Sequence, residues 1–510
     1  MAHLDALLRY VRTGTAEGDK AFLRDVFVAS DQLPALIGIE PSGMRILVGN
    51  KGMGKSAIVD WLSTASVKRG VPCLLLRPDN LDTLELPAAQ DVGALKRHFY
   101  ETLVKSISAQ IGSQLKGFLT GDAAKLHKEA QQSGLSAQDA VQKVLALLSA
   151  VSAPVNKING VQLAKDLSGT STSNELIRAV QKQLLASGSV FFLLIDDTDQ
   201  VAAPGTPAHL NRIWALLLAV RRLVNECPSM RAVVTLRTEI WQRLVSESDG
   251  QRDQTDHLRG LKVILRASDK LIEDIIRRRL EKAAKDAEGK GDPYALFFAG
   301  THVKLPTSIE QRTWDSFIVK SARERPRDAI QLIKNMIDRA VINHNQTLTS
   351  VEAEEAMLVY SAERVDDLNN EFAPDCSVIR QVLETFSDVD FEIPFQLLRE
   401  HLLTVPSSFS INLRGKVLKP QNEEDSILLL SLLHEAGFIN PRILDDRRPR
   451  GFRHILFQDD PNFVKFANWN SMQTATWEVH PAFRTYLLTA KKDALARALT
   501  PASRSDRNLK

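Results

Sequence analysis

The stretch "RILVGNKGMGKSAIVDWL", residues 45–62, places three glycines, a lysine and a serine between a short apolar run and a helical pattern. The spacing Gly49-x-x-x-x-Gly54-Lys55-Ser56 is typical of a phosphate-binding loop, whose glycines let backbone N–H groups close around an anion at a helix N-terminus. In such a loop the lysine reaches the β- and γ-phosphates of a nucleotide, and the hydroxyl ligates Mg²⁺. We therefore predict an ATP and Mg²⁺ site, with Ser56 as a metal ligand. The predicted nucleotide-binding residues are Gly49, Asn50, Lys51, Gly52, Met53, Gly54, Lys55, Ser56 and Ala57.

Short apolar runs alternate with helical patterns around and after this loop. Continuous Val/Ile/Leu runs separated by helices are typical of buried parallel strands, so we predict an α/β fold with a doubly wound parallel sheet. Between the second and third runs, residues 80–188 are rich in Ala, Leu, Lys and Gln, which predicts a helical insertion. Within it, Thr172-x-x-Glu175 is a candidate capping box. The predicted strands are 45–49, 72–76, 190–196, 231–237 and 261–267.

The length of 510 residues exceeds what one hydrophobic core normally supports and suggests roughly three domains. Ser268 is a candidate N-cap for the helix that opens an all-helical region after the last strand. Helical patterns around 377–403 and 424–437, then a hairpin at 440–458 and a strand and helix at 475–488, suggest a winged-helix module. The predicted divisions are a helical lead-in (1–43), a P-loop ATPase core (44–268), a helical lid (269–350), a winged-helix-like domain (351–495) and a solvated tail (496–510).

Composition is that of an ordinary globular protein, with 44% apolar and 25% charged residues. The three cysteines form no CxxC pair, which argues against a disulfide framework or a zinc site. Apolar runs are far shorter than a membrane span, so we predict a cytoplasmic protein that does not attach to membranes. The formal net charge is only +3, and any nucleic-acid surface must therefore be a local patch.

Acidic residues follow the third apolar run in "VFFLLIDDTDQ", residues 190–200. A buried parallel strand delivers such carboxylates to the carboxyl edge of the sheet, where α/β proteins bind ligands. We predict that Asp196 holds Mg²⁺ through its water shell and that Asp197 is a catalytic residue that polarises the attacking water. For Asp199, a solvated turn or an N-cap is an equally good interpretation.

A polar side chain at the tip of the strand in "RAVVTLRTEIW" (231–241) could contact the γ-phosphate or orient the water, if this strand lies between the phosphate-loop and Asp196 strands. Thr235 and Arg237 are the candidates, and we favour Arg237. A surface arginine that merely caps the strand is the alternative.

Arginines also begin an amphipathic helical pattern in "RERPRDAIQLIKNMIDRA" (323–340). Arg325 or Arg327 could reach over the nucleotide from the helical lid and sense the γ-phosphate. Pairing with Glu324 or Asp328 is the plainer alternative for these arginines.

The order phosphate loop, acidic strand, polar strand, helical lid and winged helix resembles the AAA+/STAND branch of the P-loop ATPases, in the ASCE division. A group of bacterial members has segments similar to four in this chain, which are "AFLRDVFVASDQLPAL" (21–36), "DDTDQV", "LRTEIWQRL" and "RPRDAIQLI". The resemblance covers most of residues 20–345 and implies a homo-oligomer, in which an arginine from a neighbouring copy completes the site. Asp197 stands where AAA+ proteins usually have Glu, which suggests slow, switch-like hydrolysis. Candidates for the arginine that acts in trans are Arg243, Arg252 and Arg259.

Two function classes follow. The first is a nucleotide-gated switch that assembles with and controls a partner effector protein, as in bacterial defence against phage; the long insertion and the Asp-Asp pair favour it, and we prefer it. The alternative is a DNA-binding motor or loader of the replication-initiator type, favoured by arginines in the predicted hairpin that could contact DNA phosphates. The helix before that hairpin is acidic, which fits a groove poorly. The hairpin arginines are Arg442, Arg447, Arg448, Arg450 and Arg453.

Overall fold

The computed structural model describes residues 2–38, 43–77, 92–114, 122–123, 125–126, 172–198, 207–246, 257–304, 311–447 and 451–499. The chain divides into two compact units, which are considered separately. The N-terminal unit is Thr15–Leu271, and the C-terminal unit combines Met1–Gly14 with Ile272–Lys510. The predicted lead-in 1–43 is therefore shared between the units.

The chain begins with α1 (Ala2–Tyr10), which belongs to the C-terminal unit. The N-terminal unit carries an alternation of strands and helices, as the apolar runs predict. Its elements are α2 (Leu23–Val26), α3 (Leu33–Ile37), β1 (Met44–Val48), α4 (Lys55–Lys68), β2 (Cys73–Leu76), α5 (Val92–Gln114), α6 (Ser173–Ser187), β3 (Phe191–Ile195), α7 (Pro207–Glu226), β4 (Met230–Leu236), α8 (Thr238–Ser246) and β5 (Lys262–Ile264).

Five parallel strands form the sheet of this unit, in the order β2-β3-β4-β1-β5. The predicted parallel sheet is thus confirmed, and β4 lies between the phosphate-loop strand β1 and the acidic strand β3, as expected. The register pairs Val48 of β1 with Leu236 of β4, and Ile195 of β3 with Val234 of β4. All these strands end at one edge, so the residues that follow them come together there.

Helices cover both faces of the sheet, which makes it doubly wound. One face packs with α5, α6 and α7 in a continuous apolar core, to which the strands contribute every second residue, such as Ile46, Leu193 and Val234. Helix α4 contacts β2, β3 and β4 outside that core. Helices α5 and α6 lie inside the predicted insertion 80–188, yet their buried residues are part of this core. The capping box of Thr172 and Glu175 at the start of α6 is confirmed.

The C-terminal unit is mainly helical, with short antiparallel strands. Its elements after α1 are α9 (Asp269–Asp286, which contains the boundary), α10 (Pro293–Phe297), β6 (His302–Lys304), β7 (Gln311–Thr313), α11 (Trp314–Ser321), α12 (Pro326–Ile342), α13 (Ser350–Phe372), α14 (Ile379–Glu384), β8 (Glu392–Pro394), α15 (Phe395–Thr404), β9 (Asn412–Leu413), β10 (Lys416–Val417), α16 (Glu423–Glu435), β11 (Ile439–Leu444), β12 (Phe452–His454), α17 (Trp469–Thr474), β13 (Thr476–Val479) and α18 (Pro481–Leu499).

Three features of the chain from Ser268 onwards bear on the sequence predictions. The predicted N-cap is confirmed, because Ser268 Oγ accepts a hydrogen bond from the Leu271 N–H at 3.2 Å. The region 269–350 is not all-helical as predicted, since β6 and β7 form an antiparallel pair within it. In the C-terminal part, a four-stranded antiparallel sheet has the order β12-β11-β13-β8, and β11 and β12 form the predicted hairpin. None of the helices in the described part of the chain is long and apolar enough to cross a membrane.

Candidate functional site

The loop between β1 and α4 has the backbone that a phosphate cradle requires. Gly52 and Gly54 have φ values of 83° and 96°, in a region that side chains with a Cβ rarely adopt. Gly49 is packed closely against Leu265, because a Cβ at position 49 would lie only 3.2 Å from Leu265 Cβ. The N-cap residue of α4 is Gly54, which makes no side-chain hydrogen bond to the first N–H groups of the helix. This helix start is suited to an anion.

Lys55 is folded back on the loop. Its Nζ donates to the carbonyl oxygens of Gly49 at 2.7 Å and Asn50 at 3.1 Å, and only 8% of the residue is exposed. An ammonium held by carbonyl dipoles in a glycine loop is placed to exchange them for phosphate oxygens, which bind it more strongly because they are charged. The residues present therefore fit a nucleotide phosphate.

The other predicted loop residues differ in their burial and contacts. Met53 is buried, and its Sδ accepts a hydrogen bond from the Asn50 N–H at 3.1 Å, so its side chain stabilises the loop itself. Ser56, at the second position of α4, is half-buried. Lys51 and Ala57 are also half-buried.

Asp196 directly follows β3 and is fully buried. Its Oδ1 accepts a 2.7 Å hydrogen bond from Thr235 Oγ1, and its Oδ2 lies 3.3 Å from Arg77 Nε. Its N–H donates to the Leu76 carbonyl at 2.9 Å, which continues the pairing with β2. A buried carboxylate needs such partners, and this set fixes its orientation at the carboxyl edge of the sheet.

Asp197 has a φ of 51°, in the left-handed region that is uncommon for residues other than glycine. Its N–H donates to Thr235 Oγ1 at 3.2 Å, and its side chain is half-buried. The neighbouring Thr198 Oγ1 donates to the Thr235 carbonyl at 2.6 Å. Backbone strain of this kind persists where surrounding contacts enforce it, and it is concentrated at functional sites. Asp199 lies outside the described residues.

Of the two candidates on β4, the structure places Thr235 at the acids. One hydroxyl donates to Asp196 and accepts from Asp197. Arg237 is the first residue after β4, with its side chain 29% exposed and its Nη1 3.9 Å from Glu239 Oε1. The favoured role of Arg237 at the γ-phosphate stays a prediction.

Arg77 is not among the residues that the motifs single out, although it is the residue after β2. Its guanidinium lies 2.8 Å from Asp60, 3.3 Å from Asp196 and 3.9 Å from Glu17. Burial disfavours its charged form, but these three carboxylates outweigh that cost and raise the pKa of Arg77 above its usual value. The signal was available in the sequence, because a polar residue that ends a buried strand reaches the same edge as Asp196.

In the C-terminal unit, Arg325 is the N-cap residue of α12, and Arg327 lies in its first turn. Arg325 is buried and ion-paired, with its Nη1 3.3 Å from Glu371 Oε2. Arg327 is half-buried, and no side-chain hydrogen bond or ion pair to it occurs among the described residues. The predicted role of Arg325 or Arg327 at the γ-phosphate stays a prediction.

A buried ion cluster supports the turn before α12. Asp328 Oδ2 lies 2.9 Å from Arg323 Nη2, and its Oδ1 lies 2.8 Å from Arg364 Nη1. Burial opposes ionisation of Asp328, but Arg323 and Arg364 outweigh it and lower the pKa of this carboxyl below its usual range. Arg323 and Glu324 have φ values of 48° and 52°, so two consecutive residues hold the left-handed conformation.

Of the candidate arginines for action in trans, Arg243 is half-buried on α8 and Arg259 is exposed. Arg252 lies outside the described residues. Action of one of these arginines in trans stays a prediction.

The hairpin arginines are partly neutralised by acids. Arg442 Nη2 lies 2.7 Å from Glu392 Oε2, and its Nη1 lies 3.5 Å from Glu478 Oε2. Arg453 Nε lies 3.6 Å from Asp445 Oδ2. Arg447 is exposed, whereas Arg448 and Arg450 lie outside the described residues.

Comparison with known proteins gives one family match. The model described as "FunZ-associated C-terminal helical domain" matches residues 270–369, which run from α9 to α13. No curated protein matches the chain. The matched helices include the start of α12 and therefore Arg325 and Arg327.

Similar solved structures include the ORC2 protein of Aeropyrum pernix in its ADPNP–ADP complexes, with 11% identity, a TM-score of 0.37, and 94% of this chain and 95% of that chain covered. The ORC1 protein of Aeropyrum pernix in complex with DNA has 15% identity and a TM-score of 0.32, with coverage of 95% and 94%. Cdc6p of Pyrobaculum aerophilum has 11% identity and a TM-score of 0.32, with 94% of both chains covered.

Proposed function

We propose that this chain binds ATP with Mg²⁺ at the loop 49–57 and hydrolyses it. The observation that carries the proposal is the buried ammonium of Lys55 in a glycine loop at the carboxyl end of β1, with Asp196 at the end of β3 on the same edge of the sheet. Resemblance to AAA+/STAND ATPases agrees with this assignment.

Lys55 exchanges the carbonyls of Gly49 and Asn50 for phosphate oxygens. Ser56 and the water shell at Asp196 would hold Mg²⁺, which neutralises charge on the β- and γ-phosphates when bound. Asp197 accepts the proton of a water whose oxygen attacks the γ-phosphorus, while the bond from that phosphorus to the β-phosphate oxygen breaks. ADP and phosphate are the products.

We further propose that ATP turnover serves as a switch that assembles copies of this chain and controls a partner effector protein in bacterial defence against phage. Pairing of Arg442 and Arg453 with carboxylates supports the switch over the alternative DNA motor or loader, because a paired arginine has less charge to offer a phosphate backbone. The defence setting rests on the resemblance alone. In this proposal 351–495 is a winged-helix-like module that regulates the ATPase.

The nucleotide site is tested by Lys55→Ala, with Lys68→Ala at the exposed end of the same helix as a matched control. We expect Lys55→Ala to weaken ATP binding about 100-fold, since each hydrogen bond to a charged group contributes about 1.5–3 kcal/mol. Isothermal titration measures the affinity, and circular dichroism checks the fold. Unchanged ATP affinity in a folded Lys55→Ala protein would refute the assignment.

The catalytic assignment is tested by Asp197→Asn. This variant should keep ATP and Mg²⁺ binding but lose turnover by roughly 10²–10⁴-fold, because an amide cannot accept the proton. Asp25→Asn, at an exposed acid of the same unit, should keep wild-type turnover. If Asp197→Asn turns over normally, another group polarises the water.

The switch is tested by sedimentation of Asp197→Asn, in which bound ATP persists. We expect a larger species with ATP than without it. If an arginine acts in trans, Lys55→Ala mixed with the variant that lacks this arginine should recover some hydrolysis. A fully active enzyme that stays monomeric at nanomolar concentration would exclude the assembly.

A further inference from the structure

Arg77 connects the metal-binding acid to the phosphate-loop helix. Its Nη2 lies 2.8 Å from Asp60 Oδ1 on α4, and its Nε lies 3.3 Å from Asp196 Oδ2. The side chain of Arg77 is 15% exposed, that of Asp60 14% and that of Asp196 0%. The two ion pairs therefore lie largely away from water, where charges interact more strongly than at the surface.

The pair of Arg77 and Asp60 has hydrogen-bonding capacity that it does not use. Asp60 Oδ2 and Arg77 Nη2 are both buried without a hydrogen-bond partner among the described residues, although Nη2 is close to Asp60 Oδ1. A guanidinium can bind both oxygens of one carboxylate through two parallel hydrogen bonds. Arg77 does not bind both oxygens of Asp60 in this way, because the same guanidinium also reaches Asp196.

We propose that Arg77 has two positions and acts as the competitor of the metal ion for Asp196. In the first position, shown by the structure, it neutralises Asp196 while it remains in contact with Asp60. In the second it leaves Asp196 and binds both oxygens of Asp60, so that Asp196 is available to the water shell of Mg²⁺. This proposal rests on the proposed ATPase function and deepens it.

The physical reason is charge. A guanidinium and a divalent cation repel each other, and both are attracted to the one buried carboxylate of Asp196. Arg77 thus lowers the metal affinity of the site, and the phosphates of a nucleotide supply the additional attraction that displaces it. Because Asp60 belongs to the helix that begins at Lys55, the movement of Arg77 links metal binding to the phosphate loop.

The test measures Mn²⁺ affinity by electron paramagnetic resonance at saturating ADP, which avoids turnover. Arg77→Met keeps the side-chain stem and removes the charge, so we expect Mn²⁺ to bind roughly three- to tenfold more tightly. ADP affinity in EDTA should stay within about twofold of wild type. Arg231→Met is the matched control; this arginine donates to the Pro228 and Met230 carbonyls at the amino end of β4 and should leave Mn²⁺ affinity unchanged.

Asp60→Asn is the complementary variant. It removes the second position, so Arg77 stays on Asp196 and Mn²⁺ should bind several-fold more weakly. The double variant Arg77→Met/Asp60→Asn should return to the affinity of Arg77→Met, because without Arg77 the identity of residue 60 no longer matters. Arg77→Lys keeps the charge but loses the planar set of guanidinium N–H donors, and its Mn²⁺ affinity should not exceed that of wild type.

Equal or weaker Mn²⁺ binding by a folded Arg77→Met protein would overturn the proposal, since Arg77 would then be a structural or organising residue. If Arg77→Met fails to fold, the Asp60→Asn variant tests the proposal instead. Unchanged Mn²⁺ affinity in Asp60→Asn would also overturn the proposal. Failure of the proposed function looks different. In that case the wild-type chain binds no ADP, or Lys55→Ala binds it equally well.

Discussion

Thr235 shows how much one side chain at the site can organise. Its hydroxyl donates to Asp196 at 2.7 Å and accepts from the Asp197 N–H at 3.2 Å, and the residue is fully buried. The hydroxyl thus fixes both Asp196, the proposed Mg²⁺ residue, and the left-handed backbone of Asp197, the proposed catalytic residue. Sequence alone gives Thr235 and Arg237 as alternatives, because it does not show which side chain points towards the acids.

Thr235→Val tests this role, since it keeps the shape and removes both hydrogen bonds. We expect a loss of about 1–2 kcal/mol in unfolding free energy, and a fall in kcat larger than any change in ATP affinity. Steady-state ATPase assays measure kcat, titration with ATP measures the affinity, and urea unfolding measures the free energy of unfolding. Thr102→Val is the matched control, because its buried hydroxyl donates to the His98 carbonyl in α5. It should cost similar stability and leave kcat unchanged; equal kcat in both variants would contradict the role of Thr235.

At the scale of elements, α13 begins with a second capping box, formed by Thr349 and Glu352, which the sequence analysis did not predict. Glu352 accepts from the Thr349 N–H at 2.9 Å, from Asn343 Nδ2 at 3.0 Å and from Asn345 Nδ2 at 2.7 Å. Burial opposes ionisation, but these hydrogen bonds outweigh it and lower the pKa of Glu352 to about 2. The ionised carboxylate therefore holds together the turn between α12 and α13.

A lowered pKa gives a stability contribution that is present above the unfolded-state pKa and is lost as the pH falls. The window here runs from about pH 4.5 down to about pH 2. We expect Glu352→Gln to lose up to about 3 kcal/mol at pH 7 and progressively less below pH 4.5. Thermal midpoints across this pH range measure the difference. Glu354→Gln, exposed on the same helix, should behave like wild type; a pH-independent loss in Glu352→Gln would exclude the carboxylate as the cause.

The elements that sequence predicts well are those with a strong local pattern. The five strands, the turn at Gly54 and the capping box at Thr172 follow from apolar runs, glycine spacing and short-range hydrogen bonds. The β6–β7 pair has only three residues in each strand, too few for a periodic pattern. Because Arg77 follows β2, the sequence places it at the carboxyl edge of the sheet. Its contact with Asp196, 119 positions away, also requires β2 and β3 to be neighbours, which no local pattern encodes.

At the scale of the whole molecule, the core of the N-terminal unit limits which deletions in the predicted insertion 80–188 can test for a partner surface. The buried faces of α5 and α6 belong to the core of the N-terminal unit. Deletions that remove either helix would expose that core and unfold the unit. A deletion that tests partner control must therefore fall between these helices, within residues 127–171.

The two function classes differ in what the hairpin arginines do. If they neutralise DNA phosphates, affinity should be largely independent of sequence and fall with salt by a log–log slope of about 0.9 per contact. Joint replacement of Arg447, Arg448 and Arg450 by glutamate should then abolish DNA binding and DNA-stimulated ATP turnover. We expect instead weak DNA affinity at physiological salt that these substitutions barely change, because Arg442 and Arg453 beside them already pair with carboxylates.

Fluorescence anisotropy with a labelled duplex over a salt series makes this measurement, alongside ATP turnover with and without DNA. Basal turnover should survive the triple substitution in both cases, because the hairpin and Lys55 belong to different units. A deletion within 127–171 should preserve nucleotide binding and basal turnover yet remove ATP-dependent control of the partner, which a DNA motor does not require. Tight, salt-sensitive DNA binding that stimulates turnover and is lost with the three arginines would instead establish the motor or loader as the function.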